Sequence, residues 1–364
     1  MGGTNEPPVR GLGNPRPFKA GRRSAIKCKH VSVFLRLFGW SYVVAQHMSR
    51  NAELSRDLCV VSHEEDIDGI GSAAIAIKSI KVRCIYLTGY FKDEWLLLSK
   101  KIEKRCQEKV SIELLITDLN PNVEMIEAID RSLARCEDKR VVWIDHHVWS
   151  EDALLKARAL GYIETYIDRS MTATENVIRY FGLEGVADIS IIAYLSRDTD
   201  YGLFSHPLSE PLTDVIRYSL YRKNDRKFLV KLARKFSKGI IWDYEIDNIW
   251  AEAKREKEKI LEDLRRNAVI RDIKGYRAIF LTSDPMISSK IAIREAGVKD
   301  YDVAFVIYRN GSITIARGSK NVNCAEIAMK LGGGGHPHIA GAQIDKKVME
   351  AGLEEVIKYI AERL

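Results

Sequence analysis

Val60-Val61-Ser62-His63-Glu64-Glu65-Asp66-Ile67-Asp68-Gly69-Ile70-Gly71-Ser72 decides how the rest of the chain is read. The apolar run 58–61 reads as a short buried strand. It empties into a turn carrying His63 and two carboxylates at alternate positions, Asp66 and Asp68. Gly69 and Gly71 then open an apolar segment, 73–80, with a helical pattern. Strand, acidic turn and helix in that order put ligands at the carboxyl edge of a parallel sheet. Two carboxylates this close repel each other unless a proton or a cation lies between them. Alone, the stretch also fits a capped loop with solvated acids.

Three further apolar runs end in the same way. Leu114-Leu115-Ile116-Thr117 leads to Asp118-Leu119-Asn120, and Val141-Val142-Trp143-Ile144 ends in Asp145-His146-His147. Ile191-Ile192-Ala193-Tyr194-Leu195-Ser196-Arg197 runs into Asp198-Thr199-Asp200. One histidine after a strand is usually structural, whereas four such endings in succession are hard to ascribe to chance.

With these residues in place the chain resembles the DHH phosphoesterases. Their motifs match His63-x-x-Asp66-x-Asp68-Gly69, Asp118, Asp145-His146-His147 and Asp198-Thr199. A fifth element, Gly332-Gly333-Gly334-Gly335-His336-Pro337-His338-Ile339-Ala340-Gly341, resembles the signature of the associated DHHA1 domain. The resemblance spans roughly residues 54–364 and implies an α/β protein: a parallel-sheet DHH domain, a helical connector and a smaller α/β DHHA1 domain. Ile67 between the two aspartates departs from several branches of the family, so the first motif does not choose among them.

Composition bounds the alternatives. A chain of 364 residues, 46% hydrophobic and 29% charged, suits a soluble protein of two ordinary domains. Of the formal net charge of +7, +8 lies in residues 1–50, leaving the remainder at −1. The high pI therefore says little about the partner of the globular body. Six cysteines, at 28, 59, 84, 106, 136 and 324, show no CxxC spacing and read as small buried hydrophobes in a reducing, cytoplasmic setting.

Residues 1–47 read as a disordered or spurious extension, with translation beginning at Met48 or a targeting peptide as the alternatives. The apolar stretch 31–45 is too short to span a bilayer, and no membrane partner is expected. From 48 to 205, strands are expected at 58–62, 82–88, 112–117, 140–145 and 162–167. Helices are expected at 69–80, 92–107, 123–136, 172–181 and 187–196. Residues 206–266 form the basic helical connector. Lys227, Lys231, Lys235 and Lys238 fall on one helix face there, either a solvated face or a surface that tracks phosphates. Residues 267–364 read as the smaller α/β unit, with strands at 278–282, 303–308 and 312–316 and an Asn310-Gly311 hairpin. Arg317, Gly333, Gly334, Gly335 and His336 form its expected substrate site, because a Gly-rich turn lets backbone N–H groups approach an anion.

Aspartate and histidine ligands without cysteine suit a hard or borderline divalent ion better than structural zinc. The resemblance implies two such ions, Mn²⁺ ahead of Mg²⁺. His63, Asp66 and Asp198 would hold one, Asp68 and His146 the other, and Asp118 would bridge them. His147 falls beside the site as ligand or phosphate contact, and Asp145 orients a histidine. The expected catalytic set is Asp66, Asp68, Asp118, His146 and His147. The implied activity is hydrolysis of phosphodiester bonds in single-stranded or short oligonucleotides, of the exonuclease or oligoribonuclease type. A nucleotide phosphatase or cyclic-dinucleotide phosphodiesterase is the alternative within the family. A non-catalytic, nucleic-acid-binding replication scaffold is the alternative outside enzymology, but it would lack some of Asp66, Asp68, Asp118 and His146. Oligomeric state stays open, a homodimer included.

Overall fold

The alternation of apolar runs and helical patterns becomes a parallel sheet. The computed structural model describes residues 56–108, 111–319 and 322–364, so the expectations for 1–47 lie outside it. Strands β1 (Asp57–His63), β2 (Cys84–Thr88), β3 (Ser111–Thr117), β4 (Asp138–Asp145) and β5 (Ile163–Ile167) pair in the order β2-β1-β3-β4-β5. Helices α1 (Ile67–Ser79), α2 (Lys92–Glu108), α3 (Val123–Ser132) and α4 (Glu151–Ala159) supply the crossovers. The strands are apolar on both faces, as a doubly covered sheet requires. Val60, Leu115, Val142 and Ile144 pack toward α1 on one side. Val61, Leu114, Ile116 and Trp143 pack toward Trp95, Ile126 and Ala153 of α2, α3 and α4 on the other.

Helices α5 (Ala173–Tyr180), α6 (Ala187–Asp200), α7 (Ser209–Tyr221) and α8 (Arg226–Phe236) follow. Val177, Ile192, Leu212, Ile216, Leu232 and Phe236 join the same apolar cluster as α1, so these helices thicken the first unit. The long α9 (Tyr244–Arg266) places Ile246 in that cluster and Leu261 and Leu264 in the core of the second unit. It is a rod with one end in each.

The second unit has a six-stranded mixed sheet in the order β10-β11-β9-β8-β7-β6. Its strands are β6 (Val269–Ile273), β7 (Tyr276–Ser283), β8 (Val303–Tyr308), β9 (Ser312–Arg317), β10 (Gly334–Gly335) and β11 (Ile339–Gln343). Alternate residues of β8 serve opposite faces. Phe305 stacks on Phe280 at 4.9 Å in the layer covered by α11 (Cys324–Lys330). Val306 packs with Ile291 of α10 (Ser289–Glu295) and with α9. Helices α12 (Lys346–Glu350) and α13 (Leu353–Arg363) close the chain. No helix among the described residues is long and apolar enough to cross a membrane.

The cysteine expectation needs correction. Cys59 is bonded to Cys84 and Cys106 to Cys136, while Cys324 is buried and free. Cys59 and Cys84 are direct partners in the β1–β2 register. Pairing of that kind follows from three-dimensional register and leaves no spacing signature.

Candidate metal centre

The strand order reverses between β1 and β3, and in open α/β sheets that is where a crevice opens at the carboxyl ends. The chain is built to turn tightly there. A Cβ on Gly69 would lie 2.2 Å from the His63 carbonyl oxygen, so only glycine lets α1 start so close to β1. Ser62 Oγ donates to the Gly69 carbonyl at 2.6 Å, and Thr117 Oγ1 donates to Ser62 Oγ at 2.8 Å, tying β3 to the same turn. Asp66 caps α1 by accepting from Gly69 N–H at 3.0 Å. Asp118, directly after β3, holds φ at 57°, a left-handed conformation that aspartate tolerates better than most residues.

These turns bring the motif residues together. His63 Nδ1 lies 3.1 Å from Asp66 Oδ2 and 3.6 Å from Asp118 Oδ2. His146 Nε2 lies 3.4 Å from Asp118 Oδ1 and 3.5 Å from Asp68 Oδ2. Asp118 thus offers one oxygen to each histidine. Asp68 Oδ1 accepts from Thr174 N–H and Ser196 Oγ, and Oδ2 from Ala173 N–H. The amino end of α5 therefore fixes the carboxylate and leaves Oδ2 its free lone pair on the side of His146. Asp145 accepts from Trp149 Nε1 at 2.7 Å and lies 2.7 Å from His147 Nδ1. With Nδ1–H directed at Asp145, His147 presents Nε2 as a lone pair, the usual way a ligating histidine is oriented.

Electrostatics fit a cation here. Burial and the neighbouring Asp118 charge push Asp68 up. Burial disfavours the charged form of His63, but Asp66 and Asp118 outweigh it and raise its pKa well above the ordinary value. Burial also opposes protonation of His146, yet Asp118, Asp68 and Asp200 raise it to about 10. His63 Nε2 and Asp118 Oδ2 are buried with no hydrogen-bond partner. Three clusters at this edge have ligand atoms within 4.8 Å of one another: His63 with Asp66 and Asp118, Asp118 with Asp145, His146 and His147, and His146 with His147 and His336. Oxygen and imidazole donors with orphaned buried atoms are what divalent ions require.

A pH dependence follows. A raised folded-state pKa contributes stability that is complete below the ordinary 6.5 and fades as pH climbs through about 10. The metal-free protein should therefore lose stability across that window, read as Tm in chelator. A ligating His146 must also shed its proton, so apparent Mn²⁺ affinity should rise between about pH 6 and about pH 8. A flat affinity would remove His146 from the ligand set.

Asp198 does not join the cluster. Its carboxylate accepts from Ser205 N–H at 3.0 Å, Ser205 Oγ at 2.6 Å, His206 N–H at 3.1 Å and Ser209 Oγ at 2.5 Å. Burial pushes it up, but these donors hold it at about 2. The expected ligand is instead the clamp that starts α7. Asp200, the last residue of α6, reaches the centre, with Oδ2 4.0 Å from His146 Nδ1. A signal was present: Gly202, at φ 69°, closes α6 and so marks Asp200 as its end. Asp200→Asn should cost activity about 10²-fold or more with little change in Tm. Asp198→Ala should instead cost about 2–3 kcal/mol of stability by stranding buried donors. Thermal melts and Mn²⁺-dependent turnover separate the two, and the reverse pattern would restore Asp198 as the ligand.

The second unit meets this edge directly. The His336 ring lies 4.8 Å from that of His147 and 5.1 Å from that of His146, and its Nε2 is buried without a partner. Burial and the adjacent His147 lower its pKa, keeping it neutral. His336 is thus at the centre itself, beside His146 and His147, and not only in a substrate site of the second unit. The glycine run is also mostly structural. Gly332 and Gly333 N–H groups bond the Met329 and Ala328 carbonyls as the cap of α11. A Cβ on Gly333 would lie 2.0 Å from the Gly341 oxygen. Gly334 and Gly335 pair with Gly341 and Ala340 of β11. Arg317 is exposed at the end of β9, its N–H bonded to the His338 carbonyl.

Two basic side chains cross between the units. Lys290 Nζ donates to the Thr199 carbonyl at 2.9 Å and to that of Asp200, and lies 3.7 Å from Asp200 Oδ1. Buried Arg217 bonds the Pro285 carbonyl at 2.9 Å and Glu65 at 3.1 Å, next to Asp66.

α8 packs on α1, α7 and β2, and its first residue, Arg226, bonds Glu64 beside His63. Lys231 pairs with Glu245 at 2.6 Å, and Lys235 with Asp243 and Glu245, while Lys227 and Lys238 are exposed. Reversing all four charges should leave the salt slope of oligonucleotide binding unchanged. A slope smaller by about one per lysine would reinstate the phosphate track.

Residues 276–362 match the DHHA1 domain model. No curated protein matches the chain in sequence. Among solved structures, an exopolyphosphatase-related protein from Bacteroides fragilis is 15% identical at a TM-score of 0.53, covering 88% of this chain and 96% of its own. The exonuclease RecJ bound to manganese is 14% identical at 0.49, covering 88% and 93%. The pGpG-specific phosphodiesterase PggH from Vibrio cholerae is 12% identical at 0.46, covering 84% and 100%. At such identities the likeness is one of fold. The chain thus joins a DHHA1 domain, matched over residues 276–362, to a parallel sheet whose carboxyl edge carries the Asp145-His146-His147 motif.

Proposed function

We propose that the protein is a divalent-metal-dependent phosphoesterase hydrolysing phosphodiester bonds of nucleotides or short single-stranded oligonucleotides. One observation carries this reading. Asp66, Asp68, Asp118 and Asp200 converge with His63 and His146 at one sheet edge, leaving buried, unbonded donor atoms. Two ions bound there, Mn²⁺ ahead of Mg²⁺, supply neutralisation of phosphoryl charge and acidify a water.

The chain's own groups do the rest. Asp118, with an oxygen toward each histidine, suits the bridging role, and Asp66 with His63 and Asp68 with His146 suit its two flanks. His147 is oriented by Asp145. Neutral His336 faces them from the second unit, where its ring N–H donates to a phosphoryl oxygen and the ring excludes solvent. The short-substrate part is supported by charge placement, since two of the α8 lysines, Lys231 and Lys235, are neutralised by Asp243 and Glu245.

The test is a product-length time course on end-labelled RNA and DNA of several lengths, with Mn²⁺ and Mg²⁺ compared. Release of mononucleotides, fastest from the shortest substrates, is expected. Binding of nucleic acid without turnover under either ion would replace the enzyme reading with a scaffold.

A further inference from the structure

Beside His63 the crevice has an aromatic wall that the metal centre does not use. Tyr90 follows the carboxyl end of β2 and stays 38% exposed although it adjoins the centre. Its ring lies 5.3 Å from the His63 imidazole, tilted by 52°. Its hydroxyl is buried near Asp145, Asp118 and Asp66, and burial together with these charges raises its pKa well above the ordinary value. The hydroxyl thus points toward the acidic centre while the residue keeps part of its surface open beside His63.

Asn120 is the second element. It lies two residues after Asp118, is half-buried, and its Nδ2 sits 3.9 Å from where a Gly334 Cβ would be. Its side-chain amide thus stands between the two units, and no hydrogen bond within the described residues occupies it. An unengaged amide can both donate and accept, as a base edge requires.

We propose that Tyr90 and Asn120 form a nucleobase subsite, Tyr90 as the stacking face and Asn120 as the polar contact. The occupant is the base of the nucleotide whose phosphate lies at the Asp118 centre. Aromatic stacking is the sequence-tolerant way to hold a base, and the ring stands one residue contact from the ligand His63. The inference rests on the phosphodiesterase reading and sharpens it, because nothing in the metal centre itself distinguishes a nucleotide from another phosphoester.

Two p-nitrophenyl esters separate the cases, one of a nucleoside 5′-monophosphate and one of methyl phosphate. Tyr90→Ala should lower kcat/KM roughly 10- to 100-fold on the first and leave the second nearly unchanged. Tyr90→Trp should restore it, and Asn120→Ala should act on the nucleoside ester alone. Equal loss on both esters, or no rescue by tryptophan, overturns the subsite. AMP binding to wild type and Tyr90→Ala in Mn²⁺ gives a readout independent of turnover. If neither ester is hydrolysed but AMP binding depends on Tyr90, the hydrolase reading fails and the subsite stands. If AMP binding ignores Tyr90, the subsite fails whatever the activity.

Discussion

Asp118→Asn should yield a folded protein whose metal-dependent hydrolysis has fallen by at least about 10³-fold. Among the described residues, Asp118 alone has an oxygen toward both His63 and His146, at 3.6 and 3.4 Å. Removing its charge weakens both halves of the centre together. Asparagine is the right replacement because it accepts the left-handed φ of 57°, where alanine would add strain. The metal-free variant should melt lower than wild type at neutral pH, where Asp118 pairs with protonated His63 and His146, and the difference should fade as pH climbs through about 10. Mn²⁺ titration beside Tm in chelator checks both halves. Near-normal turnover at saturating Mn²⁺ would take Asp118 out of the site.

His336→Ala should lower kcat by about 10²- to 10³-fold on oligonucleotides and on a small chromogenic phosphodiester alike. A residue that gripped only a distant chain end would spare the small substrate. The ring instead stacks 4.8 Å from His147, with Nε2 buried and unpartnered, so it meets whatever phosphoryl group lies at the centre. Its loss should appear in kcat as well as KM, because an interaction strengthened in the transition state reaches both. A variant impaired only on long substrates would place His336 in recognition of the chain end instead.

Much of this was legible in the chain. The expected strands at 112–117 and 140–145 fall on β3 and β4, and the helix expected at 92–107 is α2. Those elements have continuous apolar runs or strong helical periodicity, and local pattern suffices for them. His63, Asp66, Asp68, Asp118 and His146 converge because each follows a strand of one parallel sheet, a consequence of topology that the alternation already implied. What stayed hidden depended on contacts between distant segments. Whether Asp198 or Asp200 faces the centre turns on where α6 ends and on Ser205 and Ser209 folding back. The glycines after α11 signal anion binding and helix capping equally well until β11 is seen against Gly333. The lysines of α8 read as a stripe because their acidic partners, Asp243 and Glu245, lie beyond the helix. Short strands such as β10 and β6 carry too little pattern to announce themselves.

Lys290 and Arg217 give the boundary between the units a further meaning. Lys290 belongs to the DHHA1 side yet holds the end of the helix that delivers Asp200, and Arg217 joins Pro285 to the glutamate beside Asp66. Parting the units would therefore loosen two of the acidic groups as well as withdraw His336. Ion occupancy and crevice opening then share one free-energy cycle. Whatever extra affinity the ions have for the closed form, closure gains by the same factor when they bind. On the phosphoesterase reading, the grip that favours chemistry would become a brake on the departure of products, and weakening Lys290 would trade ion retention for faster exchange.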